Sequence, residues 1–139
     1  MQTHVEFKSR AFPKYPNEDE ETVNETRWGK RLAEYVRDNL PKYGVQTEDI
    51  LCEDWGWLVN TKNDAYPLWI GCGPVDDSDE EEPKDGDLIA FALFVAAEPS
   101  FLKRLFKKVD TTPGIVKVTQ ALRTMMAASH DFESPEWSD

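Results

Sequence analysis

Glu53-Asp54-Trp55-Gly56-Trp57-Leu58-Val59-Asn60, followed by Tyr66-Pro67-Leu68-Trp69-Ile70-Gly71-Cys72, is the stretch whose pairing decides the fold. In its first half Trp55, Trp57 and Val59 alternate with Gly56, Leu58 and Asn60. In its second half Tyr66, Leu68, Ile70 and Cys72 alternate with Pro67, Trp69 and Gly71. A period of two is the mark of a strand, and Thr61-Lys62-Asn63-Asp64 between the halves supplies turn residues. The segment reads as a hairpin. Pairing residues whose numbers sum to 125 sets Trp57 against Leu68, Trp55 against Ile70 and Gly56 against Trp69. The Trp69 ring then covers bare glycine backbone. In this register Trp55 and Trp57 share one face and Trp69 takes the other. Cys72 faces Glu53 while Cys52 points to the opposite face, which opposes a disulfide that the cysteine count alone allows. A slip by one residue reverses these assignments.

The flanking segments supply the remaining elements. Thr3 to Lys8 alternates, with Val5 and Phe7 on one side, and predicts a half-buried strand. A loop follows from Ala11 to Glu21, with Pro13, Pro16 and the acidic run Glu18-Asp19-Glu20-Glu21. Thr22-Val23-Asn24-Glu25 has the form of a capping box. Trp28, Leu32, Tyr35, Val36 and Leu40 then recur at helical spacing, predicting a helix over 22–40 that ends at Pro41 and Gly44. Leu88 to Ala97 is apolar on both faces, as in a strand covered on each side. Ser100 opens a short helix with Phe101, Leu102, Leu105 and Phe106 inward and Lys103, Arg104, Lys107 and Lys108 outside. Thr111-Thr112-Pro113 caps a further helix carrying Val118, Leu122, Met125 and Met126. Residues 130–139 form a tail that is either an edge strand or a loose end. The expected fold is α+β: one domain over 1–139, with an antiparallel sheet of about four strands and three helices packed mainly on one face.

Charge is unevenly placed. The 139 residues carry 16 Lys and Arg against 27 Asp and Glu, a net charge of −11. Residues 51–99 hold twelve acids against only Lys62 and Lys84. A flexible loop at 74–87 holds Asp76, Asp77, Asp79, Glu80, Glu81, Glu82 and Asp85. Such a field repels nucleic acid. It speeds encounter with cations and selects basic protein partners. No apolar run approaches the roughly 20 residues that cross a bilayer. The start, Met1-Gln2-Thr3-His4-Val5-Glu6, lacks the basic and apolar parts of a secretory signal, so a cytoplasmic location is expected.

Signals for catalysis are thin. Glu53 and Asp54 are adjacent, and neighbours on a strand point to opposite faces, so they do not converge as an acid–base pair. His4 and His130 stand at the two ends of the chain. There is no Gly-x-Ser-x-Gly, P-loop, dinucleotide fingerprint or His-Glu-x-x-His. Cys52 and Cys72 have no zinc-ligand spacing, and the order of acids in the 74–87 loop does not match an EF-hand, so neither metal nor other cofactor is expected.

Arg27-Trp28-Gly29-Lys30-Arg31-Leu32-Ala33-Glu34, Glu53-Asp54-Trp55-Gly56-Trp57 and Pro67-Leu68-Trp69-Ile70-Gly71-Cys72-Gly73 together resemble a set of small, largely uncharacterised bacterial proteins. That resemblance covers residues 5 to about 125 and brings no activity or catalytic residue with it. In length and acidity the chain is also similar to the immunity proteins that neutralise bacterial toxins. What this implies is a non-catalytic inhibitor that captures a basic protein. Its expected binding residues are Asp76, Asp77, Asp79, Glu80, Glu81, Glu82, Asp85, Trp55 and Trp69. A second expectation stays open, a small enzyme or ligand-binding domain that uses Glu53, Trp55 and Trp57 on the hairpin face. A homodimer through a sheet edge is compatible with either.

Overall fold

The computed structural model describes residues 1–21, 28–75, 86–98 and 109–139. They form β1 (His4–Ser9), α1 (Lys30–Asn39), β2 (Thr47–Glu53), β3 (Gly56–Thr61), β4 (Leu68–Pro74), β5 (Ile89–Ala97), α2 (Thr112–Ala127) and β6 (Glu133–Ser138). The strands make one antiparallel sheet in the order β2-β3-β4-β5-β1-β6. The architecture is α+β, but the sheet has six strands where about four were expected, and two α-helices are present among the described residues. The capping box at 22–25 and the short helix expected after Ser100 lie outside the described residues.

Alternation in β1 buries Val5, Phe7 and Ser9, and β5 answers with Phe91, Leu93 and Val95 on the same face. Ile70 and Cys72 of β4 continue that face, as do Trp57 and Val59 of β3. Leu32, Ala33 and Val36 of α1 and Val118, Leu122 and Met125 of α2 close over it, making one core. Full burial of a Leu or Phe side chain contributes roughly 2 kcal/mol. Fully buried Phe7, Phe91, Leu32, Ile70, Leu93 and Leu122 therefore dominate the stability. No described helix is long and apolar enough to cross a membrane.

Helix α1 starts at Lys30, well after Thr22. Its N-cap position is Gly29, at φ 141°, and has no side chain to cap with. The cap comes from afar. Glu18 lies in a 3-10 turn (Glu18–Glu20) and is wholly buried. Its Oε2 accepts hydrogen bonds from the backbone N–H of Gly29 (2.8 Å) and Lys30 (3.2 Å) and from Trp57 Nε1 (3.2 Å). Its Oε1 accepts from the Tyr15 N–H at 3.3 Å. A buried carboxylate is tolerable when so surrounded by donors, and a helix N-terminus favours its charge.

The hairpin register differs from the expected one. Trp57 lies against Cys72, Leu58 against Gly71 and Asn60 against Trp69. The shift is by four residues, an even number, so Trp57 and Trp69 still take opposite faces. The cause is the connection, which spans 62–67 and is tied by Asn63 Oδ1 accepting from the N–H groups of Ala65 (2.9 Å) and Tyr66 (3.3 Å). Thr61 Oγ1 closes it by donating to the Leu68 carbonyl at 2.7 Å. Upstream, β2 pairs with β3 through Glu53 and Gly56, which leaves Asp54-Trp55 as a tight turn and takes Trp55 out of the strand. Both Cys52 and Cys72 pair with Trp57, so they share the helix-covered face instead of lying on opposite faces. Strand β3 runs between them, and two strand spacings of about 5 Å exceed disulfide reach. Both thiols are free.

The tail is a strand in place: β6 pairs with β1, Arg123 stacks on the Trp137 ring at 4.0 Å, and the Met1 amino group meets Asp139 at 3.2 Å.

Candidate functional site: an aromatic stack on the sheet face opposite the described helices

The face of the sheet opposite α1 and α2 presents Leu51, Leu58, Gly71 and Phe94 in one cross-strand row, with Asn60, Trp69 and Ala96 in the next. Gly71 decides what happens there. A Cβ on Gly71 would lie 2.2 Å from Phe94 Cζ, so only a bare backbone lets the Phe94 ring settle onto β4. Trp69 stands beside that ring, with centroids 5.7 Å apart at 73°. Trp55 comes over from the β2–β3 turn and stacks on Trp69 at 5.5 Å and 17°, and it meets Phe94 at 5.2 Å. All three rings are half-buried. Each such pair adds about 1 kcal/mol beyond the area it covers.

Three glycines place Trp55 there. Gly56 has φ 148°, and a Cβ on it would fall 2.4 Å from the Cys72 carbonyl oxygen. Gly29 would put a Cβ 3.3 Å from that same oxygen, and Gly73 would put one 3.3 Å from the Trp55 carbonyl oxygen. Trp28-Gly29, Trp55-Gly56 and Gly71-Cys72-Gly73, the stretches that carry the resemblance, thus meet at one close backbone crossing. Glu18 sits at this crossing through Gly29 and Trp57.

The acidic residues Asp76, Asp77, Asp79, Glu80, Glu81, Glu82 and Asp85 lie outside the described residues. Their attachment points do not. The Val75 N–H donates to the Ala90 carbonyl at 2.9 Å, and Arg10 Nη1 donates to the Gly86 carbonyl at 2.8 Å. Strand β4 ends at Pro74 and β3 begins at Gly56, antiparallel to it, so the acidic segment leaves from the same end of the sheet as the Trp55 turn.

Of the expected residues, Trp55 and Trp69 are brought together, although they were expected on opposite faces. Glu53, Trp55 and Trp57 are not. Trp57 is 5% exposed and lies in the core with its indole on Glu18, while Glu53 flanks the turn. The reason is again the turn at Asp54-Trp55, which breaks the alternation joining Trp55 to Trp57. Phe94 was missed because the run Leu88–Ala97 reads as covered on both faces, whereas its Ala90, Ala92, Phe94 and Ala96 stay half-buried. The contact of Gly71 with the Phe94 ring, on the neighbouring strand but far along the chain, has no local signal.

A shallow cleft of 310 Å³ lies on the helix side, between Phe12–Tyr15 and α1. The Tyr15 hydroxyl donates to Glu34, and the Arg31 guanidinium stacks on the Tyr15 ring at 4.0 Å while its Nε donates to the Pro13 carbonyl at 2.9 Å. The hydrogen bond to Glu34, with burial second, pushes the Tyr15 hydroxyl above its usual value. A hydroxyl held in its protonated form and bonded to a carboxylate is a tie between loop and helix, not a poised base. Burial likewise pushes the Cys72 thiol far up, which removes it as a nucleophile.

Comparison with known proteins yields no matching family model, no matching curated protein and no matching solved structure.

Proposed function

We propose that this chain is a non-catalytic acidic binding protein, an immunity-like inhibitor that holds a basic protein partner such as a bacterial toxin. The observation that carries the reading is the Trp55–Trp69–Phe94 stack, half-exposed on the face opposite the two described helices, at the end of the sheet where the acidic segment departs. Aromatic rings of this kind make the buried anchors of an interface. The carboxylates of the acidic segment supply long-range attraction and reject acidic competitors. The direct test is affinity capture from the native host with three baits: the wild-type chain, Trp55→Ser/Trp69→Ser, and a chain with the acids of 76–85 changed to Asn and Gln. Wild type retains a basic protein at low salt and releases it as salt screens the field. The two variants each lose most of that capture. A wild-type bait that retains no basic protein at low ionic strength sinks the proposal.

A further inference from the structure

The two edges of the sheet are built differently. Strand β6 carries Pro135, has Ser134 at φ 51°, and joins β1 through an irregular register between Glu6 and Lys8. Proline, a twisted backbone and a bulge are the usual means of stopping another strand from adding. Strand β2 has no proline and no lysine. Its own irregularity lies between Thr47 and Ile50, and from Ile50 to Glu53 it pairs regularly with β3. Its outer backbone groups are therefore set out as a template.

The side chains along that edge favour one kind of strand. From Val45 to Thr61 the chain carries Glu48, Asp49, Glu53 and Asp54 and no Lys or Arg. Glu48, Asp49 and Asp54 are exposed, and among the described residues none of the four is in an ion pair. Asp49 accepts one hydrogen bond, from Asn60 Nδ2 at 3.0 Å. Leu51, 45% exposed, lies between Asp49 and Glu53 on the face that carries Trp69. A second copy of β2 would set acid against acid across the new ladder, which is destabilising.

We propose that the β2 edge accepts an extended basic segment of the protein partner as a seventh strand. This rests on the partner reading given above and names how that partner is held. The backbone of the added segment hydrogen-bonds to β2. On one of its faces Lys or Arg side chains four residues apart meet Asp49 and Glu53, and an apolar side chain midway between them covers Leu51.

The experiment uses the full chain, isotope-labelled, and a peptide of about seven residues, a normal strand length, in the order Thr-Lys-Thr-Val-Thr-Lys-Thr, which sets lysine, valine and lysine on one face. Comparison peptides are its glutamate analogue and a version N-methylated on alternate residues. Binding of the lysine peptide slows amide exchange within Ile50–Glu53 by about tenfold or more. N-methylation, which removes backbone donors without touching the protein, weakens binding by about tenfold. The glutamate peptide does not bind, and Glu48→Lys/Asp49→Lys/Glu53→Lys abolishes binding while circular dichroism stays that of the wild type. No binding of the lysine peptide, exchange changes confined to other strands, or indifference to N-methylation each overturns the proposal. The capture experiment separates the two readings. If the triple-lysine bait still retains the basic partner, the edge proposal fails and the partner reading stands. If wild type retains none, the partner reading itself fails.

Discussion

Gly56 is the position where a single methyl group does most damage. Its φ of 148° is one that side chains rarely adopt, and a Cβ there would lie 2.4 Å from the Cys72 carbonyl oxygen, a backbone atom that cannot swing away. Gly56→Ala is expected to lose about 3 kcal/mol in urea unfolding, combining backbone strain with overpacking. Gly44→Ala is the control: φ is 92°, but nothing lies within 4 Å, so the loss is about 1 kcal/mol. Equal losses at the two sites would show that the crossing at Gly56 is looser than described. Glu18 is the second such position. Glu18→Ala leaves the N–H groups of Gly29 and Lys30 and the Trp57 indole without their acceptor inside the protein, at a cost of about 3 kcal/mol. Glu18→Gln keeps one oxygen and falls between, by about 1–2 kcal/mol. Neither role is visible in the sequence. Glu18 belongs to an acidic run that reads as a solvated approach to a helix, and its partners are eleven and thirty-nine residues further on.

Where periodicity is unbroken, elements can be read directly: β1 and β5 were expected at 3–8 and 88–97 and stand at His4–Ser9 and Ile89–Ala97. Strand β2 escaped notice because its alternation is broken: apolar Leu51 stands on the open face with Asp49 and Glu53, and an irregularity interrupts the period before Ile50. Its only core-side apolar residues are Ile50 and Cys52. The β2–β3 turn escaped because Asp54-Trp55 is not a turn dipeptide by composition; the positive φ of Gly56 makes the turn. With both cysteines on the covered face, reactivity separates them. A thiol reagent titrates Cys52, half-buried on the edge strand, under native conditions, and reaches Cys72 only on unfolding. Two native thiols reacting at one rate would contradict the register. The tie between the 11–15 loop and α1 has its own signature. Tyr15 is raised above its usual 10.0 by Glu34, so the folded chain holds the proton more tightly than the unfolded chain. That contribution is complete below pH 10.0 and is lost as pH rises through the folded value. Thermal melts of wild type should therefore fall more steeply above about pH 10 than those of Tyr15→Phe; parallel curves would remove the tie.

Across the molecule, charge and fold are set apart. Helices α1 and α2 close one face of the sheet, while residues 51–99 gather twelve of the 27 acids with only two lysines. Like charges held close together oppose the compact state, and dissolved salt relieves this by shortening the reach of the field from about 30 Å at 0.01 M to about 8 Å at 0.15 M. The melting temperature of the chain alone is thus expected to rise as sodium chloride is added over that range. Changing the seven acids of 76–85 to Asn and Gln should raise the melting temperature at low salt and flatten its dependence on salt. The same measurement decides whether the pole faces outward. If Lys103, Arg104, Lys107 and Lys108 neutralised those acids inside the molecule, salt would weaken attractive pairs, and the melting temperature would fall with salt instead. A field cancelled within the chain has nothing left with which to draw in a basic partner, so a falling curve removes the electrostatic half of the proposed function and leaves only the aromatic stack to support it.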